Sequence, residues 1–410
     1  MREMKDSGIR WMGDIPSDWN VERVKHGFVR KKEEAHQENP IVLSLARAGV
    51  KARDISNNEG QIAESYYNYN PVDVDDLLIN PMDLYSGANC SISKIKGVIS
   101  PAYINLRYCE GHNPNYYDYY FKVQYWMMAF FAHGKGVSYE NRWTLNAETL
   151  MNYPIIVPPF NEQCRIVKYL DLKCSQIDAI IEKQQTIIEK LKEYKLSMIN
   201  EVTNVKEGIS CHLGFISQMK NGLNFTDTLE GIRIKFLGVG DFKQYFFLDN
   251  EEQFSTVITE SDISEDYYLK DGDIVFVRSN GSKELVGRAV MVNNISFPLT
   301  YSGFCIRFRN IRPDIIDSRF LLYYFRSPDF RKQLEKYSQG SNISNMNQDL
   351  LSRMSFTIPS MKYQIDALEH LEIKCKKIDE KVDNTELFIN KLLEYKKSLI
   401  YEVVTGKKEV

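Results

Sequence analysis

The chain has 410 residues, 43% of them hydrophobic, and a formal net charge of −3. Two or three domains with ordinary cores fit that length, and the charge argues against a simple basic nucleic-acid binder. No apolar run approaches the roughly 18 residues of a membrane span, the opening MREMKDSGIRWMG lacks a signal peptide's apolar core, and seven cysteines without C-x-x-C spacing beside six scattered histidines suit a reducing cytoplasm without a zinc set.

In chain order, Met1 to Asn20 reads as a polar, Gly/Pro-containing lead-in without a core element. Val21 to Asn152 is mixed and β-rich, with strands expected at Ile41–Ala46, Asp76–Ile79 and Tyr103–Arg107 between turn signals. Tyr116 to Phe131 then predicts a helix whose Met/aromatic stripe is core, and His133 to Asn146 a polar, Gly-containing loop. Pro154, Pro158 and Pro159 close the segment.

Pro159 to Lys206 predicts one long amphipathic helix, with Asn161 as N-cap and Glu162 in the first turn. Its opening turns, to about Cys174, are less regular and leave room for a separate short helix. From Ile177 a heptad is readable, placing Ile177, Ile180, Ile187, Leu191, Tyr194 and Met198 on a pairing seam and Glu189, Lys190, Lys192 and Glu193 outside.

Cys211 to Phe356 repeats the first globular plan with almost no identity. Strands are expected at Ile232–Gly238, Asp273–Val277, Val286–Val292 and Phe304–Arg309, helix over Asp317–Tyr337, and a loop at Gly340–Asn347. Within it, Asp241–Asp273 carries ten acidic and two basic residues, and Gly303–Gly340 eight basic and four acidic. Pro359 to Lys407 predicts a second long helix that keeps the seam less strictly, with Ile378, Val382, Phe388, Ile389, Leu392, Tyr395 and Leu399. Gln184 and Thr385 fall at matching seam positions, either as a register-fixing polar layer or as an exposed point on an imperfect seam.

The two helices are one pattern written twice. Lys173-Cys174 recurs as Lys374-Cys375, Ile177-Asp178 as Ile378-Asp379, and Glu193-Tyr194-Lys195 as Glu394-Tyr395-Lys396, all offset by 201 residues. The order is therefore globular, helix, globular, helix, divided at 1–157, 158–207, 208–357 and 358–410. The fold class is α+β: two β-rich globular domains separated by two long coiled-coil helices. If the helices pair they run antiparallel, since the second must return toward the first domain, and the halves acquire a pseudo-two-fold axis. About 30 residues of coil at about 1.5 Å each hold the domains roughly 45 Å apart, comparable with a turn of duplex DNA at about 34 Å.

The opening MKDSGIRWMGDIPSDWNVERVKHG, with Ser7-Gly8, Trp11-Met12-Gly13, Ile15-Pro16 and Trp19, resembles that of specificity (S) subunits of type I restriction-modification systems. Pro158-Pro159…Gln163 and Ile358-Pro359…Gln364 resemble that family's junctions between target-recognition domain and helical spacer. The likeness runs over essentially the whole chain; the second unit lacks the Ile-Pro…Trp opening. It implies a cytoplasmic, non-catalytic chain that reads a bipartite asymmetric sequence in double-stranded DNA, one half per globular domain. The helices would set the gap and dock methyltransferase (M) subunits, two of them, on their charged outer face, and restriction (R) subunits would join through these. Adenine-N6 methylation and ATP-dependent cleavage, with S-adenosylmethionine, ATP and Mg, then belong to the partners, and this chain holds no cofactor or metal.

The motifs agree with a non-catalytic role. Asn80-Pro81-Met82-Asp83 lacks the second proline and the aromatic of an amino-methyltransferase Asn-Pro-Pro-aromatic element. Asn113-Pro114-Asn115-Tyr116 departs similarly. Gly238-Val239-Gly240 is no G-x-G-x-x-G, and Gly134-Lys135 sits in no phosphate loop. DNA contact needs cations for phosphates and forks or amides for base edges. The polar loops offer Arg47, Lys51, Lys135, Tyr139, Asn141 and Arg142 in the first domain. The second offers Arg278, Ser279, Asn280, Ser282, Lys283, Ser341, Asn342, Asn345 and Asn347. Gly134, Gly136, Gly281 and Gly340 would admit close backbone approach. The basic run is expected to contribute phosphate contacts and the acidic run to face away. Two other readings are an enzyme with its own methyltransferase or nuclease site, and a coiled-coil adaptor without sequence-specific DNA binding.

Overall fold

The computed structural model describes residues 2–46, 49–54, 63, 65–85, 89–138, 143–225, 230–243, 245–260, 262–282, 284–337 and 345–410. Among them no helix is long and apolar enough to cross a membrane. The chain divides into two compact units, unit 1 being Met1–Gln184 with Leu387–Val410 and unit 2 Gln185–Glu386. Secondary structure alone gives four segments; compactness instead assigns a portion of each long helix to each unit.

Unit 1 begins with β1 (Met4–Asp6), β2 (Asp14–Pro16), β3 (Asn20–Arg23), α1 (Val24–Gly27) and β4 (Phe28–Lys31). Then come β5 (Leu43–Ala46), β6 (Gly49–Ala52), β7 (Asn70–Val72), β8 (Leu77–Ile79), β9 (Cys90–Ile92), β10 (Gly97–Ile99) and β11 (Ile104–Tyr108). α2 (Pro114–Trp126), α3 (Ala147–Met151), β12 (Pro154–Val157) and α4 (Phe160–Thr203) complete the chain up to the second globular segment. The main sheet is antiparallel in the order β4-β11-β8-β9, and β3 pairs with β12. α2 starts on Pro114 with Asn113 accepting from Asn115 N at 3.0 Å, and it ends earlier than the aromatic run suggests. Tyr116, Tyr117, Tyr120 and Phe121 are buried, and Tyr117 meets Phe28 edge-on at 5.0 Å.

The lead-in is a correction to the sequence reading. Ile9, Met12, Ile15 and Trp19 are buried, and Trp19 donates from Nε1 to Glu162 at 2.9 Å. So short a segment has no core of its own; Glu162 at the start of α4 holds the Trp19 indole, and Gly406 and Lys407 lie against Pro16, Trp19 and Met12 O.

Unit 2 continues with β13 (Ile209–His212), β14 (Ser217–Asn221), β15 (Ile232–Leu237), β16 (Phe247–Leu248), β17 (Ser255–Thr259), β18 (Ile274–Val277), β19 (Ala289–Val292), β20 (Leu299–Tyr301) and β21 (Cys305–Asn310). α5 (Ser318–Phe325), α6 (Pro328–Tyr337), α7 (Gln348–Arg353), β22 (Ser355–Ile358) and α8 (Met361–Val404) follow. The expected single helical zone is two helices, because Pro328 cannot continue the first. The main sheet runs β14-β21-β18-β19-β16 and β13 pairs with β22, so unit 2 repeats the strand order and closing pair of unit 1. All four residues of β18 are buried: Val275 and Val277 join a core with Leu248, Val290 and Tyr301, while Phe276 meets Phe325 at 4.8 Å under the helices. A strand covered on both faces reads as an unbroken apolar run, as Ile274–Val277 does.

α4 and α8 are continuous helices of 44 residues each, so no separate short helix opens α4, and Asn161 lies inside its first turn rather than capping it. They pair antiparallel within each unit. In unit 1, Lys396 binds Asp178 at 2.7 Å, while nearer the start of α4 and the end of α8, α2 joins Asp171 through Tyr119 and Val404 O through Tyr116, both at 2.8 Å. In unit 2, Lys195 binds Asp379 at 2.6 Å, and Tyr363 near the start of α8 donates to Val202 O near the end of α4 at 3.0 Å. The two lysine–aspartate pairs are one pair related by the repeat.

The seam itself is shifted. Ile177, Met198, Ile378, Val382 and Leu399 are buried and Leu191 and Leu392 half-buried, but Ile180, Ile187, Tyr194, Phe388 and Tyr395 are exposed. On α4 the buried stripe passes instead through Ile181 and Ile188, and on α8 through Ile389, which the seam already contains beside the exposed Phe388. Ile180-Ile181 and Ile187-Ile188 are adjacent isoleucines, and Phe388-Ile389 is an equivalent apolar doublet. The pattern alone admits either member of each, and the antiparallel partner selects the second. Thr385 is buried and Gln184 half-buried, with the Thr385 hydroxyl donating to Lys381 O at 2.7 Å.

Candidate nucleic-acid interface

Each central strand, β8 in unit 1 and β18 in unit 2, is entered through a buried aspartate. Asp76 accepts from Asp73 N and Asp273 from Lys270 N, each at 2.8 Å, the same turn in both units. The neighbouring strand supplies an arginine. Arg309 grips Asp273 through Nε at 2.8 Å and a terminal nitrogen at 2.6 Å. Arg107 bonds Asp76 and reaches Asp73 at 3.0 Å. Lys31 holds the Asp73 carboxyl below its usual range against the opposing effect of burial, and Arg107 adds to this.

At its far end each strand delivers a polar corner. In unit 2, Arg278 N donates to Phe304 O at 2.7 Å and Arg278 O accepts from Met346 N at 2.8 Å. Ser279 bridges Asn345 in antiparallel fashion, and Asn280 accepts from Ser282 N at 2.8 Å. Arg278, Ser279, Asn280, Ser282, Asn345 and Asn347, six of the nine expected residues there, thus come from two facing segments. Asn347 has a structural duty as well, capping α7 through Leu350 N at 2.8 Å. Lys283, Ser341 and Asn342 lie outside the described residues.

Unit 1 builds the same corner. Leu145 N donates to Pro81 O at 2.9 Å and Leu84 N to Trp143 O at 3.1 Å, while Lys135 and Thr144 exchange backbone bonds at 2.8 and 2.9 Å. Asn146 caps α3 through Thr149 N at 2.7 Å. Leu145-Asn146 and Met346-Asn347 share the 201-residue offset, a signal that could have located both corners in the sequence. Lys135 is exposed here; Lys51 is exposed on the β5–β6 hairpin, elsewhere in the unit; Arg47, Tyr139, Asn141 and Arg142 lie outside the described residues. Of the glycines, Gly134 packs against the Trp143 indole, so its smallness serves the interior, whereas Gly281 is open.

The basic run is not a free phosphate-binding face. Arg307 is fully buried and donates to Asp266 O at 2.8 Å; Arg309 is held by Asp273. Arg312 pairs with Asp314 and Arg319 with Asp317, both at 2.8 Å. Arg326 donates to Ala289 O at 3.1 Å with Phe246 beneath it at 4.3 Å, and burial, reinforced by Arg288, pulls it down to about 10. Arg331 pairs with Glu335 at 2.9 Å. Acidic and basic runs partly neutralise one another across the sheet, a pairing that neither run reveals alone. Lys332 and Lys336 are exposed on α6.

One glutamine ties each globular segment to its helix. Gln163 is buried: its oxygen accepts from Asn113 N at 2.8 Å, and its nitrogen donates to Gly111 O at 3.0 Å and Pro158 O at 2.8 Å. Gln364 repeats this with Asp317 N, Ile315 O and Pro359 O, all at 2.8 Å. In unit 1 only, Glu162 also accepts from Trp19 and Arg2. Burial opposes its charge, but Arg2 and Trp19 together bring the carboxyl below its usual range.

Residues 213–386 match a family model described as the type I restriction modification DNA specificity domain. The chain is similar to the type I restriction enzyme StySPI specificity subunit of Salmonella potsdam, 26% identical over 300 residues, covering 68% of this chain and 63% of that protein. It thus spans under two thirds of that relative's length. It is also similar to the MjaVIII specificity subunit of Methanocaldococcus jannaschii, 23% identical over 430 residues, covering 96% and 93%. A chain from a solved structure concerned with complex assembly and conformational transition of the type I R-M system shares the fold, with a TM-score of 0.73 at 14% identity, covering 96% of this chain and 99% of that one.

Proposed function

We propose that this chain, similar along most of its length to specificity subunits of type I restriction-modification systems, is the DNA-reading, non-catalytic member of such a complex. Each unit reads one half of a bipartite target in double-stranded DNA, and α4 and α8 set the gap. One observation supports this reading above the others: a single plan is built twice, yet the two corners present different side chains. A symmetric scaffold with unlike corners suits a target with unlike halves. A purely structural adaptor has no use for the difference.

The partners are methyltransferase subunits, with restriction subunits joining through them; S-adenosylmethionine, ATP and Mg belong to those chains. The docking surface moves from the charged outer face to the exposed apolar line on the long helices. Ile180, Ile187 and Tyr194 stand seven residues apart on α4, and Phe388 and Tyr395 repeat the last two on α8, each at least 39% exposed. A heptad line of large apolar side chains left in water is what a partner helix covers.

The test uses the full chain with its methyltransferase subunits. Electrophoretic binding at moderate salt and sequencing of methylated adenines should yield one bipartite motif. Removing matched heptads, Gln185–Leu191 and Glu386–Leu392, should leave both half-sites and shorten the gap by about three base pairs. Methylation of the unaltered target by the shortened protein overturns the ruler, and absence of sequence-dependent binding favours the adaptor.

A further inference from the structure

The strand-end position of unit 2 is held by an arginine that the fold does not use. Arg278 follows the fully buried β18, and its backbone is fixed on both sides by Phe304 O at 2.7 Å and Met346 N at 2.8 Å. Its guanidinium has no hydrogen bond or ion pair among the described residues, and its Nε is buried without a partner. The arginines of the basic run differ: Arg307, Arg309, Arg312, Arg319, Arg326 and Arg331 are all engaged by carbonyls or carboxylates. In unit 1 the equivalent position, whose carbonyl accepts from Leu145 N at 2.9 Å as that of Arg278 accepts from Met346 N, is Pro81, which has no side-chain donor.

We propose that Arg278 reads a guanine in the half-site bound by unit 2, as a fork to O6 and N7 in the major groove. The inference rests on the DNA-reading function above and names one residue within it. A phosphate contact needs only positive charge within reach, and a flexible lysine on a loop supplies that. A base contact needs a planar donor pair on backbone that does not move, because discrimination depends on direction. Arg278 meets this requirement: its main chain is clamped by two segments, and its neighbours Ser279, Asn280 and Asn345 are small polar groups suited to adjoining edges. An arginine left without a bond at the end of a rigid strand has donors to spend on a ligand. Each arginine of the basic run is instead tied through at least one nitrogen to a carbonyl or carboxylate of the fold, although Arg307 also keeps Nε and a terminal nitrogen buried without a partner among the described residues.

The experiment uses the complex of full chain and methyltransferase subunits, comparing wild type with Arg278→Lys and Arg278→Met. Expected is loss of preference at a single G·C pair in one half-site, by about 10- to 100-fold in relative affinity, with the other half-site and the salt slope unchanged. Arg278→Lys keeps the charge and should relax the same position. Uniform weakening across all sequences, with the slope of log affinity against log salt reduced by about one, makes Arg278 a phosphate contact and overturns the proposal, as does an unaltered motif. Thermal unfolding of each variant separates misfolding from lost reading: a variant that melts with the wild type but keeps its motif counts against the proposal. If wild-type complex shows no sequence dependence at all, the DNA-reading function itself fails, a result distinguishable from failure of Arg278 alone.

Discussion

Two side chains at the start of α4, Glu162 and Gln163, join elements far apart in sequence. Glu162 accepts from the buried Trp19 indole and from Arg2, so Glu162→Gln weakens both and leaves the lead-in loosely held. The expected loss is about 1–3 kcal/mol in urea unfolding of the full chain. The pH dependence has a definite sign. The folded carboxyl lies below its ordinary value of 4.5, so this stabilisation is complete above that value and is lost as pH falls through the lower folded one. Wild type should therefore lose more stability between pH 6 and about pH 3 than Glu162→Gln does; equal losses would remove the carboxylate from the account. Gln163 and Gln364 are legible in the sequence as a repeated residue after a proline, but their partners are not. Each glutamine closes onto a loop some 50 residues earlier as well as onto its own proline.

On the long helices the decisive fact is which member of each apolar doublet is covered. Ile181→Asp and Ile188→Asp put a charge into the stripe between the helices and should cost several kcal/mol, on the order of 3–5. Ile180→Asp and Ile187→Asp alter exposed positions and should change stability by less than about 0.5 kcal/mol. Thermal melts of the four variants check this ordering, and a reversed order restores the seam read from the heptad. The outward pair has a second readout: association with the methyltransferase subunits proposed as partners should weaken although the fold is intact. Lys195–Asp379 and Lys396–Asp178 contribute direction more than energy, since partly exposed ion pairs are worth about 0–1 kcal/mol.

At the scale of the whole molecule, unit 1 is closed by residues from both ends of the numbering. Lys407 donates to Met12 O at 2.8 Å, and Gly406, with φ +73°, lies so close to Pro16 and Trp19 that a Cβ would overlap them. Unit 2 needs no such closure, because α4 runs through Asn204 directly toward β13. Gly406→Val should therefore destabilise unit 1 selectively: hydrogen exchange should rise in β3 and β12, while β18 of unit 2 keeps its protection. Equal loss of protection in both units would mean that they open together. The left-handed turn after a helix favours glycine, and the buried indole above it adds a steric reason.

The sequence by itself determined the repeat, the two long helices, the central apolar strands, and the family resemblance that the junctions and opening carry. These are local or periodic properties, carried by propensity, proline placement and a constant offset. Only the tertiary structure decided which seam is buried, because adjacent apolar residues satisfy the heptad equally until a partner helix chooses between them. It also decided that the arginines of the basic run are engaged by carboxylates and carbonyls of their own domain while Lys332 and Lys336 stay exposed, and that the lead-in belongs to a core. Charge and hydrophobicity are written along the chain, but whether a cation is free or a tryptophan buried depends on what the fold brings opposite. Arg278 and Arg309 are the same residue type, and only their surroundings separate the proposed reader of DNA from a strut.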